Sequence, residues 1–215
     1  MDTIKISEIK TGDIMLETAF SLLSEVIHLF QELDEFETEQ SIRDKGYLSN
    51  HAGVFNWRDS DNSKILYIAE AVAKGICNDD FEKTYVHNNT YKQLLCLRPK
   101  FDVCKEDANV FLNRFINDST KSLWWNTWHG NTHYAFLNLA CFAAYYASNK
   151  KIWLGTSDEN IKDFCCGHFA AFFINSAKLD FTITNPKNIF LHPPKTSPVD
   201  LYMSDFFEKY IIDRT

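Results

Sequence analysis

Basic side chains are in short supply: 22 Lys and Arg face 29 Asp and Glu, the net charge is −7, and no basic run occurs. Phosphate backbones are held by clustered Lys and Arg, so nucleic acid is not expected as a partner. Long apolar runs are missing as well. Nowhere do about 18 apolar residues follow one another without a charge, so no membrane span is expected. Met1-Asp2-Thr3-Ile4-Lys5 carries no basic patch leading into an apolar segment, and no signal peptide is read there. Cysteine is sparse for disulfide stapling: Cys77, Cys96, Cys104, Cys141, Cys165 and Cys166 show no framework spacing. Such usage suits reduced thiols and a cytoplasmic location. There is no glycine-rich phosphate loop, so a nucleotide has no support and no cofactor is expected.

What remains is ordinary globular composition, with 45% apolar and 24% charged residues. At 215 residues the chain can bury a sizeable core, and we read residues 1–215 as one domain without repeats or low-complexity segments. Ile14-Met15-Leu16 after Thr11-Gly12-Asp13 reads as a turn into a buried strand, and Phe20 to Phe30 shows helical spacing. Residues 32–44 are acidic and poor in apolar surface, an exposed helix end or loop. Strands are predicted around Ala52 to Phe55 and from Lys64 to Ala69, joined by a polar turn at Asp59 to Ser63 into a hairpin. A third strand is predicted at Tyr91 to Leu97. Helices follow at Lys105 to Ile116, Tyr134 to Ala147 and Cys166 to Ala177, and a short closing helix is placed at Pro198 to Ile212.

Chemistry enters through a thiol at a predicted helix start. A thiolate is the reactive form, and the free N–H groups and dipole of a helix N-terminus favour it. Counted from Cys166, Phe169, Ala170, Phe173 and Ile174 fall at +3, +4, +7 and +8, the pattern of a helix buried on one side. Counted from Cys165, His168 takes a position that should be buried, so Cys166 is preferred and Cys165 is kept as the alternative. The plain reading of both is as small buried hydrophobes. His51 enters an apolar strand two residues before Gly53, where a glycine leaves room for another backbone to pass close. Glu70 interrupts the apolar strand Tyr67 to Val72, and a buried carboxylate is costly without a partner. A neighbouring imidazole would be that partner, giving acid, base and thiol in series. Against this stand a core histidine bonded to backbone and a strand-end acid facing water.

These segments resemble a known family. His51-Ala52-Gly53-Val54-Phe55 is similar to the "SHxGI/VY" motif, and the run from Tyr67 to Ile76 to the "xVIEAxxxGV" motif, of the circularly permuted NlpC-type papain-like cysteine hydrolases, the YiiX/YaeF-like branch. Thr11-Gly12-Asp13-Ile14 looks like that group's opening "GD" strand, and Leu95-Cys96-Leu97-Arg98-Pro99 like its "vxR" strand. Gly130 to Tyr134 is similar to its "GxxY" segment and Thr196-Ser197-Pro198-Val199-Asp200-Leu201 to its "xSPxDL" tail. Cys166-Gly167-His168-Phe169 aligns with the nucleophile motif "CSEL", with Gly167 in place of Ser and His168 in place of Glu. The same four residues resemble the "CEHF" motif of lecithin retinol acyltransferase-like proteins.

The resemblance implies an α+β papain-like fold, an antiparallel sheet or partial barrel packed against the nucleophile helix. It further implies Cys166 as nucleophile, His51 as base and Glu70 as its orienting acid. The oxyanion would be held by the Cys166 backbone N–H, with the Tyr134 hydroxyl as a second donor; Tyr134 packed in the core is the competing view. The substrate would be a small-molecule, peptide or lipid amide. Lipid acyl transfer or thioester cleavage, and a binding module that has lost its chemistry, are the rival functions.

Two other features carry less. His129 and His133 stand four apart, as zinc ligands on a helix do, but no Glu occupies the HExxH place and Gly130 weakens the helix, so no metal site is assigned. Trp124, Trp125 and Trp128 would line a groove or, more simply, fill core.

Overall fold

The computed structural model describes residues 1–19, 51–60, 63–72, 75–88, 91–116, 133–134, 163–164, 166–181 and 196–215. Of residues 18, 19, 91, 92, 133, 134, 163 and 164 it describes the backbone.

Within these residues α and β elements are mixed around one seven-stranded sheet. Strand β1 is Asp2–Lys5, β2 Ile14–Ala19, β3 His51–Ser60, β4 Ser63–Val72, β5 Gly75–Asp80, β6 Tyr91–Pro99 and β9 Phe207–Asp213. Their order is β1-β9-β6-β2-β3-β4-β5. Only β1 and β9 run parallel; the other neighbours are antiparallel. A separate pair, β7 (His133–Tyr134) and β8 (Asp163–Phe164), is parallel. The helices are α1 (Lys105–Asn113), α2 (Cys166–Lys178) and α3 (Pro198–Met203). A short π-helical turn covers Glu82–Val86. No helix among the described residues is long and apolar enough to cross a membrane.

The sheet is covered on both faces, which is why its central strands read as nearly continuous apolar runs. On one face Ile14, Leu16, Ala52, Val54, Ala69, Ala71, Leu95 and Leu97 meet α2 together with Ala108, Phe111 and Leu112 of α1. On the other, Met15, Phe55, Ile68, Leu94 and Cys96 meet Phe81 and Tyr85. The split follows the strand period of two: odd and even positions of one strand serve different cores.

Two of the weak sequence signals explain each other here. Gly12 has φ of 94°, a conformation that favours glycine, and makes the turn after which Asp13 is buried. Asp13 then accepts from Arg98 Nη2 at 2.8 Å and Nε at 3.2 Å, tying the start of β2 to the end of β6. The Gly-Asp turn and the strand-ending Arg are thus the two halves of one half-buried ion pair, Asp13 inside and Arg98 partly exposed.

The predicted strands at Ile14–Leu16, Ala52–Phe55, Lys64–Ala69 and Tyr91–Leu97 and the helix from Lys105 lie where expected. Three expectations are corrected. The closing helix stops at Met203, and Phe207–Asp213 is instead the strand that fills the gap between β1 and β6. Phe207, Tyr210, Ile211 and Ile212 are aromatic or β-branched and suit a pleated, half-buried surface better than a helix. Tyr134 itself lies in a strand, its backbone pairing with Phe164, while the rest of the predicted helix, residues 135–147, lies outside the described residues. Finally, α2 is not buried on one side only, since every residue from Cys166 to Ala177 is buried. The helix is covered all round, and apolar periodicity cannot report a covering whose residues are Gly, His, Asn and Ser. The predicted helix at Phe20 to Phe30 and the tryptophan segment lie outside the described residues.

Candidate active site

His51 is the first residue of β3 and Glu70 lies near the end of β4. The antiparallel register pairs Gly53 with Glu70, so Glu70 is the diagonal neighbour of His51 on the same face. Gly53 between them has no side chain, and a Cβ there would lie 2.7 Å from Ile68 Cγ1. The nearest group at Gly53 is thus the Ile68 side chain rather than the backbone expected from the sequence; the Ala69 carbonyl oxygen follows, 3.2 Å from such a Cβ.

The consequence is a short polar chain. His51 Nε2 lies 2.5 Å from Glu70 Oε2, and the Glu70 side chain is only 3% exposed. The same carboxylate oxygen accepts from Tyr85 Oη at 2.7 Å. Glu70 thus has the partner that its place in an apolar strand demanded, and it has two. The Cys166 side chain is the ring's other neighbour, within hydrogen-bonding reach; with Nε2 committed to Glu70, that interaction would fall to Nδ1. Burial opposes a charge on His51, but the hydrogen bonds and charges of Cys166 and Glu70 outweigh it and push the imidazole well above its ordinary value.

Cys166 is the first residue of α2 and is buried. The helix is held at that end by the tail. Ser197 caps α3: its Oγ accepts from the Asp200 backbone N–H, while Asp200 Oδ2 accepts from the Ser197 backbone N–H at 2.8 Å and from its hydroxyl at 2.7 Å. Pro198 takes the first helical position, where a missing N–H costs nothing. The backbone just before this cap presses on Gly167. A Cβ on Gly167 would sit 3.0 Å from Ser197 C and 3.1 Å from Ser197 Cα, and closer still to the Thr196 carbonyl oxygen. Glycine at this position lets the Ser-Pro-x-Asp-Leu cap seat α2.

The structure thus brings three of the four candidate residues, Cys166, His51 and Glu70, into contact. Tyr134 is registered against Phe164, two residues before Cys166, and its hydroxyl lies outside the described atoms, as does Cys165. Cys96 is a poor rival, because burial and then the charge of Asp13 push its thiol well above the ordinary value.

Two residues of the site were not singled out from the sequence. Tyr85 sits on the π-helical turn after β5 and gives no local signal. Glu17 does: it interrupts the apolar strand Ile14-Met15-Leu16 just as Glu70 interrupts its own. It pairs directly with His51 across β2 and β3 and is 6% exposed. No family model matches the chain, and no curated protein matches it significantly.

Proposed function

We infer that the protein is a papain-like thiol hydrolase that cleaves an amide or peptide bond. The observation that carries this reading is the continuous chain from Cys166 through His51 to Glu70, backed by Tyr85. A binding module that had lost its chemistry would have no need of a thiol joined to an imidazole whose far nitrogen is held by a buried acid.

In the reaction the Cys166 thiol passes its proton to His51 Nδ1 and the sulfur attacks the substrate carbonyl carbon. The developing oxyanion takes the Cys166 backbone N–H at the start of α2, with Tyr134 as the second donor. As the C–N bond breaks, the imidazolium returns the proton to the leaving amine, and a thioester remains. His51 then deprotonates water, which attacks the thioester, and the thiol leaves with the proton from His51. Glu70 keeps the ring oriented and offsets its positive charge in both halves, and Tyr85 keeps Glu70 in place.

The test uses iodoacetamide, a probe small enough for a buried thiol, and mass-spectrometric mapping of the alkylated peptide. N-acetylcysteine in the same solution serves as the reference for an ordinary thiol, since the exposed Cys104 thiol lies above its own ordinary value. Cys166 is expected to react faster than this free thiol near neutral pH, and His51→Ala to remove that advantage. Equal rates in the wild-type protein, or rapid labelling that persists in Cys166→Ala, would overturn the assignment.

A further inference from the structure

Glu17 is a buried carboxyl whose Oε2 makes no hydrogen bond among the described residues. Buried polar atoms in folded proteins are nearly always partnered, and the exceptions gather where a fold stores strain or does chemistry. Its place in the sheet gives the reason. In the antiparallel register Glu17 stands directly opposite His51, with Cβ atoms in such pairs about 5 Å apart. Glu70 holds the other flank of the same ring, from β4. The neighbour facing Glu17 from β6 is Leu94, which is apolar, so the charges that act on Glu17 are those of His51 and Glu70.

We propose that Glu17 is a second carboxyl of the site, a positioning residue that prolongs the charged form of His51 when it is itself ionised and lets it go when it is protonated. This rests on the Cys166–His51 reading above and extends it. The coupling is reciprocal: if the charged His51 ring favours ionised Glu17, ionised Glu17 favours the charged ring by the same free energy. Burial pushes Glu17 up to about 7, against the pull of His51 and with the help of Glu70. Glu17 therefore changes charge in the middle of the working range. Below that pH Glu17 is neutral and adds no charge beside the ring. On the alkaline side, where the imidazolium gives up its proton, Glu17 is negative and delays the loss.

That asymmetry is the signature to look for, because a merely structural residue would not produce it. The experiment follows the His51 ring by NMR and the Cys166 alkylation rate by iodoacetamide across pH, in wild type and in Glu17→Gln. The alkaline limb of both profiles is expected to move down by about one pH unit in the variant, while the acid limb stays, since Gln mimics the protonated acid. An unmoved alkaline limb overturns the proposal, and so does an equal shift of both limbs. Should Glu17→Gln not fold, wild type alone decides: the His51 ring signal must show a second inflection near neutral pH as Glu17 ionises, and its absence overturns the proposal. A wild-type Cys166 that reacts no faster than N-acetylcysteine sinks the thiol hydrolase reading and this proposal together; a fast Cys166 with unmoved limbs sinks this one alone.

Discussion

Replacing Glu17 by Gln should stabilise the protein, and by an amount that depends on pH. In the folded chain this carboxyl is pushed from its ordinary 4.5 up to about 7, first by burial, with His51 opposing and Glu70 adding. The native state thus holds a proton that the unfolded chain releases between those two pH values. The contribution is fully present below about 4.5 and is lost as pH rises through about 7, so wild-type stability falls across that window. At about 1.4 kcal/mol per decade, the loss approaches roughly 3 kcal/mol by pH 8. Gln has the shape of the protonated acid and no charge to release. It should match wild type near pH 4.5 and exceed it by about 2–3 kcal/mol at pH 8, a Tm difference on the order of 6–10 °C for a chain of this size. Urea unfolding followed by far-UV circular dichroism at pH 4.5, 6 and 8 measures this. A gap that is constant with pH, or that grows toward acid, would refute the reasoning, because either pattern means Glu17 does not carry its proton into the folded state.

The other contacts around the site give simpler expectations. Tyr85→Phe deletes the hydrogen bond that Glu70 accepts at 2.7 Å, and should cost about 2 kcal/mol of stability and slow Cys166 alkylation roughly tenfold; an unchanged rate would show that Glu70 does not need this tether. Gly167→Ala drives a Cβ into the Thr196–Ser197 backbone, where no flexible side-chain end can yield, and should lower the urea unfolding free energy by about 2 kcal/mol or more. Normal stability would mean that α2 and the tail are not in this contact. Asp13→Asn takes the charge from the hydrogen bonds that half-buried Arg98 makes to it and should cost about 1–2 kcal/mol in the same assay while leaving the pH profile of Cys166 alkylation unchanged.

Much of this site was legible in the sequence because its residues break rules that their surroundings keep. Glu70 stood out as an acid in an apolar strand, and the structure gives it a histidine and a tyrosine. Gly53 stood out as a glycine in a strand, and Ile68 closes over it. Glu17 carries the same signal, an acid following directly on the apolar Ile14-Met15-Leu16, and the strand predicted there ends one residue short of it. Tyr85 was not legible, because a tyrosine on a polar turn is ordinary and its partner lies 15 residues back along the chain. The closing strand was missed for a different reason. The pattern from Pro198 opens with a sound helix cap, and nothing local marks that Phe207 onward is wanted by a gap between two distant strands.

The two places where the nucleophile segment departs from the pattern it resembles are also the two that packing explains. At Gly167 a serine would carry the same Cβ that alanine would, into the backbone of Thr196 and Ser197. At His168 the side chain is 2% exposed, so a glutamate there would bury a carboxylate on a helix that is covered all round. The His51 ring takes Glu70 on one side and the Cys166 side chain on the other. The substitutions therefore argue for a helix refitted to its neighbours rather than for chemistry lost. The refit and the chemistry can be separated: Gly167→Ala should weaken the fold, whereas Glu70→Gln should leave the helix seated and slow Cys166 alkylation, since it removes the charge that holds His51 in its working form.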